Sequence, residues 1–106
     1  MRSMTIKVEV LFSEGCLRTP LTIERVQEVS QKMGVPIDLT TVQIDTYDEI
    51  MEWNFMGSPT VRVNGVDIDP SARGDSLAGF TWRSYGASGM PSEQMVIDAL
   101  GRTEKW

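Results

Sequence analysis

The chain has 106 residues, the size of one domain with a core of its own. Its 10 Lys and Arg against 15 Asp and Glu give a formal charge of −5, and no basic run offsets it locally, so a nucleic-acid partner is not expected. Histidine is absent and Cys16 is the single cysteine, which excludes His-based nucleophile pairs, an internal disulfide and a multi-thiolate zinc site.

Residues 5–12 alternate, with Ile6, Val8, Val10 and Phe12 on one parity, and read as a strand. Lys7 and Glu9 interrupt the apolar stretch, so it is not read as a signal peptide. No apolar run reaches the ~18 residues of a membrane span. A cytoplasmic protein with no membrane partner is expected. Ser13-Glu14-Gly15-Cys16 is a turn, and a helix follows with Ile23, Val26, Val29 and Met33 on one face. Glu28 and Lys32 form a favourable i,i+4 pair. Gly34 is the expected left-handed C-cap, and Pro36 prevents resumption.

Residues 37–44 form a second strand whose parity slips between Ile37, Leu39 and Val42, Ile44. Either a bulge sits near Thr40-Thr41 or both faces are partly covered. Thr46-Tyr47-Asp48-Glu49 is a capping box opening a short helix to about Phe55, with Tyr47, Ile50, Met51 and Phe55 inward and Gly57 ending it. Trp53 and Met56 fall off that stripe. They read as a dimer contact or as scattered exposed apolar side chains.

Asn64-Gly65 between alternating runs predicts a type I′ hairpin over residues 60–69. It pairs Val63 with Val66, Arg62 with Asp67 and Val61 with Ile68, placing all four apolar residues on one face. Residues 70–89 lack a period and read as a long loop; Phe80, Trp82, Arg83 and Tyr85 within it would form a lid or partner surface, or pack the loop on the sheet. Residues 90–101 read as the last helix, with Pro91 in its first turn and Met95, Val96, Ala99 and Leu100 on its apolar face. Asp67, Asp69 and Asp75 lack metal-loop spacing and read as solvated acids. Strand, helix, strand implies a right-handed parallel crossover, and the hairpin adds antiparallel strands. The expected fold is α/β: a mixed sheet between helices.

Leu11-Phe12-Ser13-Glu14-Gly15-Cys16 and Gly57-Ser58-Pro59-Thr60-Val61-Arg62-Val63-Asn64-Gly65, in that element order, resemble the thioredoxin fold. More narrowly, the chain resembles small bacterial thioredoxin-like proteins labelled glutaredoxin-like or alkylmercury-lyase-like. The resemblance implies a single thioredoxin-like domain over residues 1–106 and a cis Ser58–Pro59 bond facing Cys16. It also implies that the Ser58 backbone pairs with an extended substrate, with Ser58, Pro59, Thr60, Trp82 and Arg83 as substrate-binding candidates. In Cys16-Leu17-Arg18-Thr19, threonine occupies the position of a resolving cysteine and cannot attack a mixed disulfide. Dithiol cycling within one chain is thereby excluded, and a monothiol route remains. C–Hg cleavage is disfavoured by the single thiol.

Cys16 then reads either as an accessible thiolate or as a small buried hydrophobe. Arg18 would support the thiolate and Thr19 would cap the helix or hydrogen-bond the sulfur. Glu14 opposes this with its charge. Pro20 favours a helix starting after Thr19 as N-cap, leaving Cys16 outside; the alternative start lies near Cys16. The expected function is monothiol thiol–disulfide exchange with Cys16, Arg18 and Thr19 as the reacting group. No bound cofactor is expected, and glutathione or a partner thiol would be the co-substrate. The alternative is a non-catalytic module of the same fold that binds a peptide or small ligand.

Overall fold

The computed structural model describes residues 5–69, 83, 85 and 88–104. Strand β1 (Ile6–Phe12) lies inside the sheet. Helix α1 (Thr19–Met33) returns the chain to β2 (Ile37–Gln43), which pairs parallel with β1. Helix α2 (Tyr47–Trp53) leads to β3 (Thr60–Val63), antiparallel to β1, and then to β4 (Val66–Asp67). Helix α3 (Glu93–Glu104) is last. The strand order is β2-β1-β3-β4. The α/β layering matches the expected thioredoxin-like fold.

Alternation in β1 sorts the core. Ile6, Val8 and Val10 join Val26 and Val29 of α1, Val61 and Val63 of β3, and Val96, Ala99 and Leu100 of α3. Leu11 points the other way and packs with Ile44, Ile50 and Phe55. Helices α1 and α3 therefore cover one face and α2 the other. No helix among the described residues is long and apolar enough to cross a membrane.

The register of β2 is unbroken from Ile6↔Ile37 to Phe12↔Gln43, so the bulge is not there. Ile37 and Leu39 pack on the large cluster while Val42 packs on the small one, so an edge strand half-covered on both faces explains the slip. The capping box at Thr46 forms, with Glu49 N donating to its hydroxyl at 3.2 Å. The helix stops at Trp53, before Phe55, because Asn54 turns left-handed at φ 50. Phe55 N then donates to the Ile50 carbonyl at 3.0 Å and the ring drops into the small cluster. Tyr47 and Met51 are 78% and 76% exposed rather than inward. At ~100° per residue both lie on the same side of Ile50, opposite Trp53, and the covered stripe runs through Ile50 and Trp53. Trp53 thus packs, half-buried, against the small cluster.

The hairpin has the expected turn, Asn64 at φ 51 and Gly65 at φ 82, and the expected pairs Val63↔Val66 and Arg62↔Asp67. Val66 is nevertheless exposed, at the hairpin tip beyond α1 and α3. Arg62 donates to the Asn54 carbonyl, and Asp67 binds Arg83. Helix α3 starts three residues later than read. The Ser92 hydroxyl accepts from Met95 N at 3.1 Å, which leaves Pro91 ahead of the cap. It also continues through Gly101, whose bare Cα faces the Met33 side chain of α1.

Candidate functional site

The turn from β1 to α1 fixes Cys16. Cys16 N donates to the Ser13 carbonyl at 3.2 Å, and Thr19 N donates to the Cys16 carbonyl at 3.3 Å. Arg18 is the N-cap without a side-chain cap bond, Thr19 is the first helical residue and Pro20 follows in the first turn. Each expected start was therefore one or more residues off. A tight turn carries Cys16 to the helix without letting the helix swallow it.

Cys16 is only 8% exposed, so the thiol is recessed rather than openly accessible. It belongs to neither hydrophobic cluster. It lies in a cavity of about 250 Å³ with Gly15, Leu17, Arg18, Ser58, Arg83 and Gly89. Burial pushes the thiol pKa up. The Ser58 and Thr19 hydroxyls and the Arg18 and Thr19 backbone N–H groups pull it down, and the balance falls below the ordinary value. The Thr19 hydroxyl is buried and has no hydrogen-bond partner among the described residues, yet it stands close enough to favour the thiolate. Ser58 Oγ accepts from Ser13 N at 3.0 Å, which leaves its proton free to turn to sulfur.

Arg18 acts here through its backbone. Its side chain leaves the thiol, with Nε donating to the Ser88 carbonyl at 2.8 Å and the guanidinium lying on Gly89. A Cβ at Gly89 would sit 2.4 Å from that Nε, so the close approach requires glycine. Glu14 is exposed.

The Ser58–Pro59 bond is cis. Ser58 faces the cavity, whereas Thr60 is fully buried behind it. The Thr60 hydroxyl donates to the Gly57 carbonyl and accepts from Arg83 Nη1. This hydroxyl is therefore engaged within the fold rather than turned to the cavity. The Ser58 carbonyl, expected to meet substrate, accepts from Arg83 N at 2.9 Å.

Arg83 lines the cavity, and its guanidinium is tied into the fold. Its Nη1 and Nη2 reach Asp67 at 2.9 and 3.3 Å, and Nη2 lies 3.6 Å from Asp69. Its side chain is 8% exposed and those of Asp67 and Asp69 are 10% and 14% exposed. Burial would lower the guanidinium pKa, but the Asp67 bond and the surrounding charges raise it, so Arg83 stays ionised. The Arg83 guanidinium stacks over Tyr85 at 4.7 Å, and the Tyr85 hydroxyl donates to the Pro59 carbonyl at 2.6 Å. Burial pushes the Tyr85 hydroxyl pKa up. Asp67 and Asp69 are thus partners of a buried cation, not solvated acids. Trp82, Phe80 and Asp75 lie outside the described residues. Among the described residues, no group of three carboxylate or thiol ligands could hold a metal.

The structure brings Cys16, Thr19 and Ser58 together, and it adds an Asp67–Arg83 cluster that the sequence reading missed. The available signal was two acids in alternation on one hairpin edge and one arginine amid aromatics on the late loop.

The thiol thus lies between β1 and α1, beside the cis Ser58–Pro59 bond that leads into β3, the strand paired with β1 inside the mixed sheet. Residues 4–67 match the family described as a thioredoxin domain. The chain is 31% identical over 64 residues to a protein named "Probable Thioredoxin" from Methanothermobacter marburgensis, covering 59% of this chain and 75% of that one. The same identity and coverage hold for a "Probable Thioredoxin" from Methanothermobacter thermautotrophicus. This chain belongs to the thioredoxin domain family. The matched span ends at Asp67, so Arg83, Tyr85 and α3 lie beyond it.

Proposed function

We propose that the protein carries out monothiol thiol–disulfide exchange in the reducing cytoplasm. The carrying observation is the convergence of two hydroxyls and two backbone N–H groups on the single thiol at the cavity. Cys16 attacks a disulfide as thiolate, one sulfur of that disulfide leaves as a thiolate, and a mixed disulfide remains on Cys16. Thr19 holds the sulfur's charge and cannot displace the bound group. An external thiol, glutathione or a partner's, completes the cycle by attacking the mixed disulfide and returning the Cys16 thiolate.

The test is turnover of the cysteine–glutathione mixed disulfide with glutathione as reductant. The wild type should exceed background and Cys16→Ser should not. A second reading is a non-catalytic binding module of the same fold. The mostly covered sulfur and the occupied Ser58 carbonyl favour it. Equal background rates for both proteins would leave that reading alone.

A further inference from the structure

Two groups beside the cavity would receive a substrate, the Cys16 sulfur and the Ser58 main chain. Arg83 restricts both. Its backbone N–H occupies the Ser58 carbonyl at 2.9 Å, and it forms part of the cavity wall. It cannot drift aside cheaply. Thr60, Asp67 and Asp69 hold its guanidinium from one side and Tyr85 stacks on it from another. Tyr85 is itself fastened to the Pro59 carbonyl. The wall made by Arg18 is also fixed, through Ser88 and Gly89.

Thiolate attack needs the two sulfurs of the substrate in line with the attacking one. In a folded protein each half of a disulfide is attached to main chain that continues in both directions from its Cα. To align with a sulfur 8% exposed, it must push Arg83 off Ser58. A disulfide of a low-molecular-weight thiol has free ends and enters a cavity of about 250 Å³ end-on. We propose that Arg83 makes Cys16 selective for disulfides of low-molecular-weight thiols against those of folded proteins. This rests on Cys16 being the exchange nucleophile. In each exchange the Cys16 thiolate forms a bond to one substrate sulfur, and the other sulfur leaves with the electron pair. A low-molecular-weight thiolate then attacks the bound group, producing its disulfide and restoring the Cys16 thiolate.

The experiment compares second-order rates of the reduced protein with glutathione disulfide and with intact insulin, following mixed-disulfide formation by mass. The wild type should react faster with glutathione disulfide. Tyr85→Phe frees the Pro59 carbonyl and loosens Arg83, so its insulin rate should rise about tenfold. Its glutathione-disulfide rate should stay unchanged. Arg83→Lys, which keeps the cation but loses the planar fork, should raise the insulin rate in the same direction. A wild type that takes insulin as fast as glutathione disulfide overturns the selectivity and leaves exchange standing. A Tyr85→Phe protein that speeds both substrates equally also overturns it. No reaction of wild-type Cys16 with glutathione disulfide overturns exchange and selectivity together. If both variants fail to fold, a wild type that takes insulin as fast as glutathione disulfide still overturns the selectivity, and a wild-type preference for glutathione disulfide supports it.

Discussion

Two polar regions flank the Ser58–Pro59 bond, and they are built oppositely. Around Arg83 nearly every group is used: the fork meets Asp67, Asp69 and Thr60, and Tyr85 closes onto Pro59. Around Cys16 capacity is left over. The Ser13 and Thr19 hydroxyls are buried with no hydrogen-bond partner among the described residues. A saturated buried network fixes geometry, and a buried polar group left spare needs a reason, such as a charge that forms during reaction. The first region is a frame and the second is where chemistry can occur.

The sharpest way to break this contrast is to strip the frame. Asp67→Ala leaves the buried Arg83 guanidinium with Asp69 at 3.6 Å as its remaining carboxylate partner, beside the neutral Thr60 hydroxyl, and urea unfolding should show a loss of about 3–5 kcal/mol. The exposed Lys32–Glu93 pair at 3.1 Å is the control, and Lys32→Ala should change stability by less than about 1 kcal/mol. Equal small losses would mean that Arg83 is not a structural anchor.

Gly89→Ala tests the join between the two regions with a smaller expected effect. The residue has φ +78, and its new Cβ would displace the Arg18 side chain from the Ser88 carbonyl. The cost should be about 1–2 kcal/mol by thermal or urea unfolding. No loss at all would show that Arg18 does not need this contact.

What could be read beforehand follows from what is local. The hairpin was legible because Asn64-Gly65 sets its own register, and α1 because Val26 and Val29 repeat at helical spacing. The end of α2 was not, since a left-handed Asn54 rather than Gly57 stops it, and Phe55 then serves the same core from outside the helix. At the site, Cys16, Thr19 and Ser58 were legible through motif position. The partners of Arg83 were not, because the 16-residue separation from Asp67 is bridged by chain without a period. Nor could sequence separate a bare thiol from a recessed one, as that depends on where Arg83 and Gly89 return.

The smallest effect on stability should be the most informative about chemistry. Thr19→Val keeps the side-chain shape and removes a hydroxyl that has no hydrogen-bond partner among the described residues, so unfolding free energy should shift by less than about 1 kcal/mol. The thiol should respond nonetheless. In the wild type, the pH at half-maximal iodoacetamide alkylation should fall below the ~8.5 of a free thiol. In Thr19→Val it should move up, since one of the groups favouring the thiolate is gone. The sign carries over to stability. A thiol with a depressed folded pKa stabilises the fold fully above its unfolded value, and that stabilisation fades as pH falls through the folded one. Wild-type stability relative to Cys16→Ser should therefore rise across that interval, and the rise should shrink in Thr19→Val. An unchanged alkylation midpoint would show that the spare hydroxyl is not held for the sulfur, and the contrast between frame and reactive turn would lose its chemical meaning.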